Sequence, residues 1–162
     1  MERLKLTTDL LTGIEEIDKQ HHELFDKGNT ILFPETGKLG SKDIFDGLEF
    51  LIRYVDEHFS TEERLMKFYG YPKREGHKKQ HQRLRREVEG LYSRGKKADS
   101  VTVLATEIHY LLSDWFTYHI NEWDKGYATY LQDRVGLDSI KMSRFESIDD
   151  GEIEIIKIGD DF

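Results

Sequence analysis

The sequence predicts an all-α fold, an up-down-up-down four-helix bundle, and three observations point to it. Apolar residues recur at alternating steps of three and four in four separate stretches, the period of a single helix face. The links between these stretches are short and carry Pro, Gly or Ser, which suits antiparallel neighbours. Each stretch also places histidine where its own stripe calls for an interior residue. A looser orthogonal helical domain is the alternative architecture.

The first helix, about residues 13–33, follows Thr12, which would form a capping box with Glu15. Its stripe is Ile14, Ile17, His21, Leu24, Gly28 and Ile31. The segment FPETGKLGS breaks the pattern with Pro34, Gly37 and Gly40, and Ser41 would cap the second helix, about 41–69. That helix keeps the alternation throughout, at Ile44, Leu48, Leu51, Val55, His58, Glu62, Leu65 and Tyr69. Pro72 stands at the start of the third helix, about 72–94, where proline is well tolerated. His77, His81, Leu84, Val88 and Leu91 share its inner face. The fourth helix, about 100–131, carries Leu104, Ile108, Leu111, Trp115 and His119.

Residues 1–132 thus read as one bundle domain, and residues 133–162 as a C-terminal extension. Within the extension, Ile153, Ile155 and Ile158 alternate after the turn signal Asp150-Gly151, the pattern of a short β-hairpin. An unstructured acidic tail is the other reading.

Composition narrows the functional classes. A net charge of −8 opposes nucleic acid or an anionic membrane as the main partner, and the basic segment 71–97 reads as the solvated face of one helix. No apolar run reaches the roughly 20 residues of a membrane span, and no signal peptide is evident, so a cytoplasmic location is expected. The absence of cysteine removes thiol catalysis, iron–sulfur clusters and thiolate zinc sites.

The informative feature is the polar content of the predicted core. His21, His58, Glu62, His77, His81 and His119 occupy interior stripe positions. Each buried polar group left unpartnered costs about 1–3 kcal/mol, so this concentration calls for a ligand. His58 and Glu62 are four residues apart, as are His77 and His81, so each pair stacks on one helix face. Imidazole and carboxylate suit iron, zinc, copper or manganese, and the number of donors exceeds one tetrahedral site. The Glu-x-x-His pairs of ferritin-like bundles are absent, and HKKQH has lysine where a zinc protease has its glutamate.

The segments TGIEEIDKQHHELF, HFSTEERLM followed by YP, HKKQH and WFTYHINEWDKGY resemble the hemerythrin family, bacterial single-domain type. This resemblance implies two iron ions joined by a bridging oxo or hydroxo group. His77, His81 and His119 would hold one iron, His21 and His58 the other, and Glu62 and Asp124 would bridge them. Dioxygen would bind reversibly at the open position of the second iron, for storage, delivery or sensing, without enzymatic turnover. The alternatives are a di-iron oxidase, a peroxidase or nitric-oxide-handling enzyme, or a signalling module acting through the tail on a protein partner or a second copy.

Asp124 sets geometry against resemblance. It follows His119 by five residues, about 140° around an ideal α-helix, so Glu122 shares the histidine's face better. The family pattern selects Asp124. Three departures accompany the match. Leu6 stands about where a tryptophan is usual, Phe116 replaces a leucine facing the oxygen pocket, and the extension has no counterpart. Of the doublet His21-His22, only His21 continues the stripe, and His22 is expected at the surface. His109 is expected on a flank, Trp115 over the site, and Tyr118, Trp123 and Tyr127 in packing roles.

Overall fold

The computed structural model describes residues 1–95 and 100–135. These form a four-helix bundle in which each helix packs against the next and the first meets the fourth. After a 3₁₀ turn (Thr8–Leu10) come α1 (Glu15–Leu32), α2 (Ser41–Phe68) and α3 (Arg74–Gly95). The fourth helix starts as α4 (Val101–Tyr110) and continues through Leu111–Phe116, Thr117–His119, Ile120–Asp124 and Lys125–Val135. Leu111–Phe116 and Ile120–Asp124 are π-helical. No strand occurs among the described residues, and the expected hairpin at 150–158 lies outside them.

Helix starts differ in detail from the sequence reading. Gly13, with φ of 81°, folds the preceding strand of chain back over the first turn of α1. The Asp18 carboxylate therefore accepts from Thr12 N–H, Thr12 Oγ1 and Gly13 N–H at 2.7–2.9 Å, the role expected of Glu15. Ser41 is already helical, and Asp43 caps α2 by accepting from Gly40 N–H at 2.8 Å. Gly70, with φ of 66°, ends α2 in the left-handed conformation. Tyr71 N–H then reaches Met66 O at 2.9 Å and Gly70 N–H reaches Lys67 O at 3.3 Å, a Schellman stop with Pro72 just beyond it.

The stripes of α1 to α3 are buried as patterned, Tyr69 at the end of α2 excepted. On the fourth helix the pattern slips. Trp115 is only half-buried and Phe116 takes the interior position, because the π segment inserts one residue into the turn. The basic residues of α3 lie on its outer side, with Arg83 and Arg86 exposed. No helix among the described residues is long and apolar enough to cross a membrane.

Two apolar clusters fill the interior. The larger joins Leu24, Leu51, Val55, Phe59, Leu84, Ile108 and Phe116 with the N-terminal Leu4. The smaller joins Ile14, Ile17, Leu65, Met66, Tyr127 and Leu131 near one end. The first, second and fourth helices pass from one cluster to the other, and the buried histidines and carboxylates occupy the layer between them.

Candidate metal centre

His21, His58, Glu62, His77, His81, His119 and Asp124 are each at most 1 % exposed. They come from all four helices. Regular α-helical steps deliver the residues of α1 to α3, since His58/Glu62 and His77/His81 are one turn apart. Asp124 arrives differently. The π segment Ile120–Asp124 accommodates an extra residue, so the position five after His119 turns inward and Glu122 turns out to solvent.

The donors form two groups, each within 4.8 Å. One holds Glu62, His77, His81, His119 and Asp124, and the other holds His21, His58, Glu62 and Asp124. The two carboxylates are common to both. Asp124 Oδ1 lies 3.0 Å from His77 Nε2 and 3.0 Å from His119 Nε2, while its Oδ2 lies 3.3 Å from His21 Nε2. Glu62 Oε2 lies 3.0 Å from His81 Nε2 and 3.6 Å from His77 Nε2, and its Oε1 lies 3.7 Å from His58 Nε2.

Apart from His77 Nε2 and His119 Nε2, which face each other at 3.1 Å, the site's polar atoms mostly lack hydrogen-bond partners. His21 Nε2, His58 Nε2, His81 Nε2 and all four carboxylate oxygens of Glu62 and Asp124 are buried without a hydrogen-bond partner. Such a concentration of unpartnered polar atoms is rare in native interiors and costly if nothing binds them. Cations between the two carboxylates and the five imidazoles would satisfy them all. The donor set is nitrogen and oxygen only, which fits iron, zinc or manganese and disfavours soft-metal chemistry.

Electrostatics agree. Burial pushes His58, His77 and His81 below the usual histidine range, with His21 adding to the effect at His58 and His77 at His81. These rings are therefore neutral at pH 7, the state in which imidazole coordinates. Burial raises the Glu62 carboxyl well above its ordinary value, and neighbouring Asp124 raises it further. Burial also raises Asp124, but His119, His21 and His77 outweigh it and hold that carboxyl well below the usual range. The two carboxyls are thus pushed in opposite directions, and a bound cation favours both as carboxylates.

Aromatic rings enclose the layer. Phe59 stacks on His81 at 3.8 Å, Trp115 stacks on His119 at 5.0 Å, and Tyr54 stacks on His58 at 5.3 Å. Phe116 stands edge-on to His21 at 5.5 Å. Trp123 and Tyr127 both lie 5.7 Å from His77. His22 is exposed and takes no part, and His109 turns away to Glu2 O at 2.8 Å.

Two residues at the centre escaped the sequence reading. Gln20 Oε1 lies 2.8 Å from His58 Nδ1, and Glu63 Oε1 lies 2.9 Å from His81 Nδ1. Both sit beside a site residue in sequence yet serve a histidine on another turn or helix. Only the doublet Glu62-Glu63 offered a hint.

Comparison with known proteins covers the part of the chain that carries these residues. A family model described as "Hemerythrin HHE cation binding domain" matches residues 12–131. A bacteriohemerythrin of Pseudomonas paraeruginosa is 34% identical over 128 residues, 79% of this chain and 81% of that protein. Bacteriohemerythrins of Stenotrophomonas maltophilia and Campylobacter jejuni are 28% and 25% identical, covering 74% and 73% of this chain.

Proposed function

Because the chain belongs to the hemerythrin family, we propose that its buried centre holds two iron ions and binds dioxygen reversibly. The carrying observation is the asymmetry of the two donor groups. Both share Glu62 and Asp124, but one has three histidines and the other has two. His77, His81 and His119 would hold the first iron and His21 and His58 the second, with Glu62 and Asp124 shared between them. A di-iron centre with one open position supplies reversible two-electron binding of dioxygen.

The chain's own contribution is to hold and enclose that position. His21 and His58 stand with ring centroids 4.9 Å apart, and Phe116 closes over both, at 5.5 and 5.9 Å. An apolar wall there favours a small neutral ligand over ions and keeps bulk water away, which limits side reactions at the site. Five imidazoles against two carboxylates leave bound iron short of anionic ligands, which favours the ferrous resting state over high-valent catalysis. The role is therefore carriage or sensing of oxygen rather than its consumption.

The test is anaerobic reconstitution with ferrous iron, then oxygen titration followed by absorption. A charge-transfer band that appears with oxygen and vanishes under argon, at two irons per chain, is the expected result. Irreversible bleaching to a ferric form, or one iron or fewer per chain, overturns the reading.

A further inference from the structure

Three of the five site histidines, His21, His77 and His119, have an Nδ1 with no hydrogen-bond partner beyond the site. The other two are anchored, and by chemically different groups. His58, in the two-histidine group, faces the neutral amide of Gln20 at 2.8 Å. His81, in the three-histidine group, faces the carboxylate of Glu63 at 2.9 Å.

We propose that Gln20 and Glu63 are positioning residues that lock His58 and His81 as Nδ1–H tautomers and give the two metal positions unequal donor strength. This rests on the metal-centre reading above. The orientation of the Gln20 amide is settled by its other end. Its Nε2 donates to Glu16 Oε1 at 3.2 Å, which leaves Oε1 as the acceptor toward His58. Tyr54 fixes the same residue by donating its hydroxyl to Gln20 O at 2.9 Å. With Nδ1 as the donor, His58 presents a free Nε2 lone pair to the site.

Glu63 is held from its outer side. Arg85 Nη1 lies 3.3 Å from Glu63 Oε1, Lys78 Nζ lies 3.9 Å from its Oε2, and Arg85 Nε donates to Asp56 Oδ1 at 3.0 Å. The Arg85 guanidinium also covers Phe59 at 5.2 Å, and Phe59 in turn stacks on His81. A carboxylate accepting the Nδ1 proton makes imidazole a stronger donor than an amide does. His81 is thus the more electron-rich ligand, and the chain of groups Asp56–Arg85–Glu63 connects its donor strength to the surface.

The experiment uses the full chain with ¹⁵N-labelled histidine. In the metal-free protein, long-range ¹H–¹⁵N spectra should show His58 and His81 as Nδ1–H tautomers. Gln20→Ala should release only His58, Glu63→Ala should release only His81, and Glu63→Gln, which keeps an acceptor, should preserve the His81 tautomer. In anaerobic ferrous titrations each alanine variant should weaken one of two equivalents by roughly 10–100-fold, with Glu63→Gln intermediate. If Glu63→Ala fails to fold, the Glu63→Gln and Gln20→Ala pair carries the comparison. Nε2–H tautomers in the parent, or alanine variants that leave tautomer and affinity unchanged, overturn the inference. His81→Ala separates the two levels: full iron binding there sinks the metal-centre reading itself, whatever the tautomers show.

Discussion

Asp124 Oδ1 lies 3.0 Å from His119 Nε2 although the residues are five apart on one helix. On an ideal α-helix that separation is about 140°, and the contact could not form. The π segment Ile120–Asp124 makes it by taking in one extra residue. The prediction is that Asp124→Ala binds no more than one iron per chain while Glu122→Ala, altered at an exposed position, keeps two. Metal analysis after reconstitution decides between them, and the reverse pattern rejects the bridging role of Asp124.

The same π segments mark the limit of what the sequence reveals. Along α1, α2 and α3 the period is regular, so Ile17, His21 and Leu24, or His81, Leu84 and Val88, are legible as one face. On the fourth helix regular counting lands on Trp115 and Glu122, whereas Phe116 and Asp124 are buried. A π insertion has no compositional signature, and only the motif resemblance pointed to Asp124. Gln20 and Glu63 were illegible for another reason. They lie off the apolar stripes, and their partners, His58 and His81, are 38 and 18 residues away. Cap assignments erred locally, because Gly13 bends the chain so that Asp18 and not Glu15 meets the free amides.

The doublet His21-His22 supplies a matched pair of variants. His21 is fully buried with Nε2 at 3.3 Å from Asp124 Oδ2, and His22 is exposed. His21→Ala should lose the oxygen-dependent absorption band and weaken iron binding. His22→Ala should leave both, and the melting temperature, within error of the parent. Equal effects at the two positions are incompatible with the assignment.

Acid should destabilise the metal-free protein through its buried histidines. His58, His77 and His81 fall below the ordinary histidine value of 6.5 in the fold, chiefly through burial. Below about pH 6.5 the unfolded chain binds protons there that the folded chain refuses, so stability decreases as pH falls. Glu62 acts oppositely. Its raised value means the folded form holds a proton that the unfolded form loses above 4.5. Three groups against one leave a net loss of up to two protons' worth, at about 1.4 kcal/mol per proton per pH unit. The urea midpoint of the metal-free chain should therefore be lower at pH 5.5 than at pH 7. A flat or rising midpoint contradicts neutral burial of these rings.

Phe116 offers the last prediction, because its ring is 1 % exposed and touches both halves of the site. It lies 5.5 Å from His21, 5.9 Å from His58 and 6.3 Å from His119, with Phe25 and Tyr54 also at 6.3 Å. Truncation to alanine should cost about 3–5 kcal/mol of stability, the usual result of emptying a buried aromatic site. Phe116→Leu should cost less and keep both irons, since no ligand is removed. It does thin the wall beside His21 and His58, so water and small anions gain access to the open position. The oxygenated form of Phe116→Leu should then decay to the ferric state faster than the parent. Stopped-flow and slow absorption traces measure this directly. An unchanged decay rate alongside lowered stability reduces Phe116 to a packing residue, with the wall around His21 and His58 supplied by its neighbours.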